Sequence, residues 1–337
     1  MPDASELFAG GGVIPAHPLA LTAARRLDER RQRALTRYYV AAGAAGVAVG
    51  VHTTQFAIRD PEVGLFDPVL QIAAEELDRA DRNRSTPLLR IGGICGRTAQ
   101  AASEAARLAA LRFHAGLLSL SAFPGATDDE LIAHCSEIAS VIPIMGFYLQ
   151  PAVGGRLLSY DFWRRFADIE GVAAIKIAPF NRYQTLDVVR AVADSGRDIP
   201  LYTGNDDTIV MDLVTLPMTG GLLGHWAVWT HAAVNLWRQC RAARNDPRLL
   251  GPLIECSTDV TDANAAFFDA ANGFKGCIAG LHEVLRRQGL FEGTWCLDPA
   301  ETLGPGQLAE IDRVYRAYPD LNDDEFVREG RDEWLTA

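Results

Sequence analysis

The chain has 337 residues, enough for one large domain or two smaller ones. Its residues are 48% hydrophobic and 22% charged, which excludes a disordered or fibrous chain. The net charge of −11 argues against a protein that binds nucleic acid or a membrane surface mainly by electrostatic attraction, because both need clustered positive charge. The composition therefore indicates a globular chain that buries a sizeable core.

The cysteines and the charge-free segments predict where the protein works. The six cysteines are scattered without a CxxC pair, which predicts a reduced cytoplasmic protein that has no zinc framework. The first ten residues contain no basic residue, so we expect no signal peptide. The segments 38–58 and 213–237 lack Asp, Glu, Lys and Arg, but their polar residues, glycines and proline favour buried helix and strand ends over membrane spans.

Short apolar runs alternate with stretches of helical spacing along most of the chain. Continuous apolar runs of this length are typical of a parallel sheet covered on both faces. The predicted strands are 12–16, 46–51, 88–94, 116–120, 142–148, 172–177, 199–203 and 221–225. The predicted helices are 28–43, 66–81, 98–114, 127–139, 159–168, 183–194, 206–216 and 230–243.

Eight strand-then-helix units predict the α/β class and a (β/α)8 TIM barrel. A doubly wound open sheet is the structural alternative, but the even number of units and the lack of a nucleotide-binding fingerprint after the first strand favour the barrel. After residue 245 only helices are predicted, near 251–272, 274–288, 305–317 and 322–335. We therefore expect a barrel over residues 1–245, with its active site at the C-terminal strand ends, and a helical C-terminal extension over residues 246–337.

Lys176 lies inside the otherwise apolar run of the sixth predicted strand. Because side chains alternate along a strand, Val172, Ala174 and Lys176 are expected on one face. Burial lowers the pKa of a lysine, and a neutral amine can attack a ketone to form a Schiff base. The alternative is a lysine whose amine reaches solvent at the strand end. Only two of the 32 basic residues are lysines, Lys176 and Lys275, which favours a specific use of the amine.

Tyr148 ends the preceding strand, in register with Ile144 and Gly146. Adjacent strands lie ~4.8 Å apart, so a tyrosine and a lysine at the ends of neighbouring strands are able to meet. A phenol in that place can move protons to and from a carbinolamine. The alternative is a core tyrosine whose hydroxyl is bonded to the backbone.

Polar or glycine-containing segments follow three other predicted strands. Thr53 and Thr54 follow the second strand, where two hydroxyls and a turn can hold a carboxylate without positive charge. Gly204 follows the seventh strand, and a glycine lets the backbone approach a ligand. His225 ends the eighth strand, where it either lines a pocket or packs in the core. The alternatives are an ordinary strand-to-loop transition for the threonines and a helix cap for the residues after Gly204.

Three short motifs follow one another at the ends of the fifth, sixth and seventh predicted strands: Tyr148-Leu149-Gln150-Pro151, Ile175-Lys176 and Gly204-Asn205-Asp206. They resemble the YNxP, IK and GxD motifs of the dihydrodipicolinate synthase / N-acetylneuraminate lyase family of Schiff-base barrel enzymes. Lys176 follows Tyr148 by 28 positions, as in that family. The resemblance extends from about residue 12 to residue 235.

The resemblance implies roles for four of these residues. Lys176 corresponds to the imine lysine, Tyr148 to the proton shuttle, and Thr53 and Thr54 to the carboxylate loop. The family also implies a homo-oligomer, either a dimer or a tetramer, and a reaction that needs no cofactor and no metal.

Departures from the synthases indicate a different reaction. Ser121-Ala122-Phe123-Pro124 lacks the second tyrosine that follows the fourth strand of dihydrodipicolinate synthases. Val153 stands where those synthases have a carboxylate-binding arginine, and Arg156 follows three positions later. The threonine loop is also altered, because a histidine precedes it and Gln55-Phe56 follows it.

The sequence therefore predicts a Schiff-base lyase or aldolase that acts on pyruvate or another 2-oxo acid, rather than a true dihydrodipicolinate synthase. The alternatives are a sugar-acid dehydratase of the same family and a barrel that binds a small acid without converting it. We expect a small-molecule 2-oxo acid as the partner, and neither nucleic acid nor a membrane. The predicted catalytic residues are Lys176 and Tyr148, and the predicted substrate-binding residues are Thr53, Thr54, Gly204, His225, Arg97 and Arg156.

Overall fold

A computed structural model describes residues 3–336, and in these residues eight parallel strands form one barrel. The strands are β1 Gly12–Pro15, β2 Gly46–Val49, β3 Leu89–Ile94, β4 Ala115–Leu118, β5 Ile144–Leu149, β6 Val172–Ala178, β7 Leu201–Thr203 and β8 Met218–Leu223. Each strand pairs with its neighbour in the chain, and β1 pairs with β8. A bridge between Ala16 and Ala48 joins the end of β1 to β2 and closes the barrel.

Helices surround this barrel and continue beyond it. They are α1 Ala4–Gly10, α2 Glu29–Ala42, α3 Phe66–Asp81, α4 Thr98–Ala110, α5 Asp128–Ala139, α6 Tyr160–Ala167, α7 Arg182–Ser195, α8 Ile209–Thr215, α9 Thr230–Ala243, α10 Leu250–Phe267, α11 Cys277–Arg287, α12 Gln307–Ala317 and α13 Asp324–Thr336. One helix follows each strand, from α2 after β1 to α9 after β8. The predicted TIM barrel is therefore confirmed, and the doubly wound alternative is wrong.

Local sequence explains where several of these helices begin. Thr127 accepts a hydrogen bond from the Glu130 amide, and the Glu130 carboxylate accepts one from the Thr127 amide, which is a capping box at the start of α5. The Asn181 side chain caps α7 by accepting from the amides of Tyr183 and Gln184. These caps satisfy amides that have no partner within the helix.

The barrel has two apolar layers. The inner layer contains side chains from all eight strands, with Ile14, Ala48 and Leu222 among them. The outer layer lies between strands and helices and holds larger rings, such as Trp163 and Phe166. Because every strand is covered on both faces, its sequence is apolar throughout, and this explains why the strands were recognisable as continuous apolar runs.

Helix α1, which the sequence pattern did not predict, contacts β3, β6 and β8. Phe8 of α1 is fully buried, and its ring meets that of Tyr202 edge-on at 5.6 Å. The Tyr202 hydroxyl also donates to the Phe8 carbonyl at 2.7 Å. This short helix therefore belongs to the inner apolar layer of the barrel.

The C-terminal helices pack against the barrel helices. Helix α10 contacts α8, and α13 contacts α2. Buried Asp323 accepts hydrogen bonds from the Tyr38 hydroxyl at 2.6 Å and the His231 amide at 2.9 Å, which joins the start of α13 to α2 and α9. The division of the chain at residue 245 stays a prediction, and residues 1, 2 and 337 of the predicted ranges lie outside the described residues. Of the described helices, none is both long and apolar enough to cross a membrane.

Replacing Phe8 by alanine tests the contribution of α1. We expect Phe8→Ala to lower the free energy of unfolding by about 3–5 kcal/mol, because it removes a fully buried ring and leaves a cavity against Tyr202. Chemical denaturation followed by circular dichroism measures this change. The exposed Glu6 of the same helix supplies the control, and Glu6→Ala is expected to stay within about 0.5 kcal/mol of the parent. Equal stability of Phe8→Ala and the parent would contradict the packing.

Candidate functional site

A cavity of about 810 Å³, counted with the part open to solvent, lies at the C-terminal ends of the strands. This is the end of a TIM barrel where active sites are found. Residues from both the barrel and the C-terminal extension line it. They are Ala16, Val51, His52, Thr53, Phe56, Gly93, Cys95, Leu117, Ser119, Phe147, Leu149, Gln150, Val153, Lys176, Ala178, Phe180, Gly204, Asp206, Gly224, Phe268, Phe274 and Cys277.

Lys176 projects from β6 into this cavity and is 9% exposed. Among residues 3–336 it has no carboxylate within 4.0 Å, and its Nζ lies 4.5 Å from the centre of the Phe147 ring. Burial, the larger influence, lowers the pKa of Lys176 below the usual lysine range, while the charge of Asp206 acts in the opposite direction. A substantial neutral fraction makes this amine a nucleophile.

Gly204 leaves the space that the Lys176 side chain occupies. A Cβ at this position would lie 2.5 Å from Cε of Lys176 and 2.8 Å from Cβ of Ala178. Gly204 lines the cavity and makes room for the lysine, and its role in substrate binding stays a prediction.

Asp206, two residues after Gly204, faces the same cavity. Its Oδ1 accepts a hydrogen bond from the His225 amide at 2.9 Å. Burial raises the pKa of Asp206, against the opposing effects of that amide and of the Lys176 charge. The Asp206 carboxylate and the Lys176 amine are thus more than 4.0 Å apart, and the charge of each still shifts the pKa of the other.

The loop that carries Asp206 is held by its neighbour Asn205. The Asn205 amide group donates to Thr185 at 3.1 Å and to Asp212 at 2.9 Å, and its oxygen accepts from the Phe180 amide at 2.9 Å. A side chain with this many partners has one orientation, so the loop after β7 is positioned before any ligand binds.

Tyr148 does not reach the cavity, and the prediction that it meets Lys176 is wrong. Phe147, not Tyr148, lies opposite Lys176 in the pairing of β5 with β6. The Tyr148 ring packs on Trp163 at 5.4 Å in the outer layer, and its hydroxyl donates to the Leu158 carbonyl at 3.2 Å. Side chains alternate along β5 as predicted, but Tyr148 lies on the outer face of the sheet and Phe147 on the inner face.

A β-bulge changes the expected column of residues on β6. Ile144 pairs with Val172, whereas the next residue, Met145, pairs with Ala174. Val172 therefore packs in the outer layer, while Ala174 and Lys176 face inward, so the prediction that all three share one face is wrong for Val172.

The two threonines after β2 have different environments. Thr53 lines the cavity, and its hydroxyl donates to the Ala16 carbonyl at 2.8 Å. Thr54 is fully buried outside the cavity, where its hydroxyl donates to the His17 carbonyl at 2.7 Å and accepts from the Gly50 amide at 3.0 Å. The structure thus contradicts the prediction that Thr54 binds substrate, because its hydroxyl is hydrogen-bonded to the backbone of Gly50 and His17.

The remaining three predicted binding residues do not line the cavity. The His225 ring packs on Phe267, and only its backbone amide serves the site, through Asp206. Arg97 is exposed with its guanidinium 5.6 Å from the Phe123 ring. Arg156 donates to the carbonyls of Phe123 and Ala126, where it braces a loop. The predictions for these side chains failed because strand-end position alone does not give a side chain's direction.

Sequence reasoning missed several residues that line the cavity. His52 lines it with a neutral imidazole near pH 7, because burial and then the Lys176 charge lower its pKa to about 4. The sequence pattern offers a helix cap as the role of Asp206, although Asp206 is also the acidic residue of the GxD-like motif. Phe268, Phe274 and Cys277 come from the C-terminal extension, and no pattern in the sequence pointed to them. Within residues 3–336, no three His, Cys, Asp or Glu side chains are grouped to hold a metal ion.

No family model matches the chain, but individual proteins do. A curated N-acetylneuraminate lyase from Citrobacter koseri is 25% identical over 213 residues, which cover 60% of this chain. The match spans 65% of the length of that relative. The chain therefore covers slightly less than two thirds of the length of this curated relative.

Solved structures share the fold over nearly the whole chain. A prophage protein of the dihydrodipicolinic acid synthase family from E. coli K12, in complex with pyruvate, has a TM-score of 0.78 at 16% identity, with 92% of this chain and 98% of that chain covered. An N-acetylneuraminate lyase from Fusobacterium nucleatum gives 0.74 at 14% identity, with 92% and 99% covered. A dihydrodipicolinate synthase from Oceanobacillus iheyensis gives 0.76 at 15%, with 94% and 99% covered. The resemblance to proteins of this family is confirmed for the fold, at low sequence identity.

Competitive labelling with acetic anhydride over a pH series tests the electrostatics of Lys176. We expect its labelling to rise with pH around a midpoint below the ~10.4 usual for lysine, because burial favours the neutral amine. Peptide mass spectrometry separates Lys176 from the exposed Lys275, which serves as the internal control for reagent activity. Asp206→Asn is expected to lower the midpoint further, since the carboxylate charge raises the pKa of Lys176. A midpoint at or above the usual value would contradict the assignment.

Proposed function

We propose that this protein is a class I lyase that forms an imine between Lys176 and a 2-oxo acid. The observation that carries the proposal is a buried lysine whose amine faces a cavity without an ion-pair partner, so that burial favours its neutral form. The pyruvate-bound relative and the curated lyase support a 2-oxo acid as the donor. A homo-oligomer, dimer or tetramer, remains part of this proposal on the strength of the family resemblance.

The chemistry follows from the protonation states. Neutral Lys176 attacks the 2-oxo carbon to give a carbinolamine, and loss of water gives an iminium. The iminium withdraws electrons from the neighbouring carbon, which permits cleavage or formation of the adjacent C–C bond. Each of these steps moves a proton, and a group near Lys176 must accept or donate it.

Asp206 is the group that we propose moves this proton in place of Tyr148. Its carboxyl faces the cavity, is fixed through one oxygen by the His225 amide, and has a pKa raised by burial toward the range in which it exchanges protons near neutrality. The Tyr148 hydroxyl is occupied by the backbone of Leu158 on the other side of the sheet. Thr53 is the threonine that we propose contacts the carboxylate of the substrate.

Borohydride trapping with pyruvate tests the imine. We expect a reduced adduct on Lys176, located by peptide mass spectrometry, because borohydride converts the iminium into a stable secondary amine. Lys275→Ala, which removes the exposed second lysine, is the matched control and should give the same adduct. Lys176→Ala should give none. Folded protein that forms no adduct with any of a panel of 2-oxo acids would overturn the proposal and favour a barrel that binds acids without converting them.

Exchange of the pyruvate methyl protons in D₂O, followed by NMR, tests which group moves the proton. We expect Asp206→Asn to slow the exchange about 100-fold, within the range for loss of a general acid–base. Tyr148→Phe should change it less than about twofold and instead lower stability by about 1 kcal/mol, because it removes a hydroxyl bonded to Leu158. Exchange lost in Tyr148→Phe and kept in Asp206→Asn would assign the proton transfer to the phenol.

A further inference from the structure

Phenylalanine rings dominate the wall of the Lys176 cavity. Phe147 already lies beside the lysine amine, and four more rings lie beyond the strand ends: Phe56, Phe180, Phe268 and Phe274. Phe56 follows β2, Phe180 follows β6, and the other two belong to the C-terminal extension. Apolar rings from three separate segments therefore bound the part of the cavity beyond the strand ends.

The cavity offers no cation for a second acidic group of the substrate. Of the described residues that line it, Lys176 is the one with a positively charged form above pH 5, and no arginine is among them. Arg59 lies behind Phe56, where its guanidinium pairs with buried Glu104 at 3.0 Å. Arg97 and Arg156 contact the loop around Phe123 instead. A substrate whose far end carries a carboxylate or phosphate would meet rings there, not a counter-charge.

Besides Lys176 and Asp206, the polar side chains that line the cavity among the described residues are His52, Thr53, Ser119 and Gln150, with the thiols of Cys95 and Cys277. The Ser119 hydroxyl donates to Ser121, and the Thr53 hydroxyl would exchange its bond to the Ala16 carbonyl for one to the substrate carboxylate. A 4-hydroxy-2-oxo acid presents a carboxylate, a carbonyl and a hydroxyl, and each of these needs a polar partner. Lys176 and Asp206 serve the carbonyl and the hydroxyl. A chain of further hydroxyls, as in a sugar acid, would lose hydration against the phenylalanine rings and find few polar partners there.

The aromatic wall is held in place by the protein itself. The rings of Phe180 and Phe274 meet edge-on at 6.3 Å, and both residues adopt a positive φ, 52° and 67°. The Asp269 carboxylate accepts from the Gly276 amide at 3.0 Å, which fixes the segment that carries Phe274. Gln307 holds the same segment by donating to the Gly276 carbonyl at 3.1 Å. Strained backbone that is held by buried hydrogen bonds is typical of a binding site rather than of a passive loop.

We propose that the carbonyl product of this lyase is an aromatic aldehyde without a second charged group. This inference rests on the proposed imine chemistry at Lys176 and adds the class of the other substrate. The aryl ring lies among Phe180, Phe268 and Phe274, and the 2-oxo acid portion lies at Lys176 and Asp206.

The reaction is balanced without an oxidant or a reductant. For 4-hydroxy-4-phenyl-2-oxobutanoate, neutral Lys176 adds to C2, and protonated Asp206 supplies the proton with which the carbinolamine oxygen leaves as water to give the iminium. The Asp206 carboxylate then takes the proton of the C4 hydroxyl as the C3–C4 bond breaks, the electron pair of that bond forms the enamine, and benzaldehyde leaves. Asp206 returns this proton to C3 of the enamine, and water hydrolyses the resulting iminium to pyruvate and free Lys176, releasing the proton that restores protonated Asp206.

Two measurements with matched compounds test the inference. The first is the affinity of Lys176→Ala, which cannot form an imine, for 4-hydroxy-4-phenyl-2-oxobutanoate and for 2-dehydro-3-deoxygluconate, which share the reacting end and differ in the tail. We expect the phenyl compound to bind at least about 30-fold more tightly, as burial of one aromatic ring implies. Equal or tighter binding of the polyol compound would overturn the inference, whatever the result of trapping with pyruvate.

The second measurement is cleavage of both compounds by the parent protein, with benzaldehyde detected by its absorbance. We expect kcat/KM to favour the phenyl compound by at least the same factor. A pyruvate adduct together with preferred cleavage of the polyol would leave the imine standing and overturn the aromatic assignment. Preferred binding of the phenyl compound without any adduct or cleavage would support the aromatic site and overturn the proposed lyase.

Variants of the wall show whether these rings produce the preference. Phe274→Ala is expected to weaken binding of the phenyl compound about 10-fold, through lost contact with the ring. Tyr183→Ala is the matched control, because Tyr183 is an aromatic residue that is 83% exposed and does not line the cavity. Equal affinities of the two variants for the phenyl compound would contradict the placement of the aryl ring.

Discussion

The site depends on the separation of two ionisable groups, Lys176 and Asp206, inside one largely apolar cavity. If Lys176 and Asp206 formed a close ion pair, each would keep the other charged, and the amine would be a poor nucleophile. At more than 4.0 Å, burial acts on both groups, which moves the lysine toward its neutral form and the aspartate toward its protonated form. The His225 amide holds the carboxylate in this place, and Gly204 leaves room for the lysine.

The same separation gives the proposed chemistry its geometry. In the proposed mechanism, the substrate carbonyl meets the Lys176 amine as the nucleophile and the Asp206 carboxyl as the proton donor or acceptor. In this arrangement Asp206 takes the part that the family resemblance implied for Tyr148. The exchange is consistent with the low identity to the compared structures, which share the fold over most of the chain.

The C-terminal extension changes what the barrel can bind. Its helices pack against α2, α8 and α9, the segment between α10 and α11 adds Phe268 and Phe274 to the cavity wall, and α11 adds its first residue, Cys277. A barrel alone would leave the strand ends open to water on this side. With the extension in place, phenylalanine rings from both the barrel and the extension line the cavity.

The sequence by itself determined the architecture. Apolar runs and helical periodicity depend on burial on both faces of a parallel sheet, so all eight strands and the helices that follow them were predicted from local pattern. Lys176 was recognisable for the same reason, as a charged residue in a run that is otherwise apolar. Helix α1 was missed because seven residues with one buried ring carry little periodicity.

Only the tertiary structure decided which residues surround that lysine. Alternation places Tyr148 on one of two faces, and the choice between them depends on how β5 pairs with β6, including a bulge that the sequence does not reveal. The directions of Arg97 and Arg156 depend on loops folded over Phe123, and the approach of Phe274 depends on a segment distant in the chain. Local pattern reports burial and periodicity, whereas a site is made by contacts between segments, and these contacts exist only once the chain has folded.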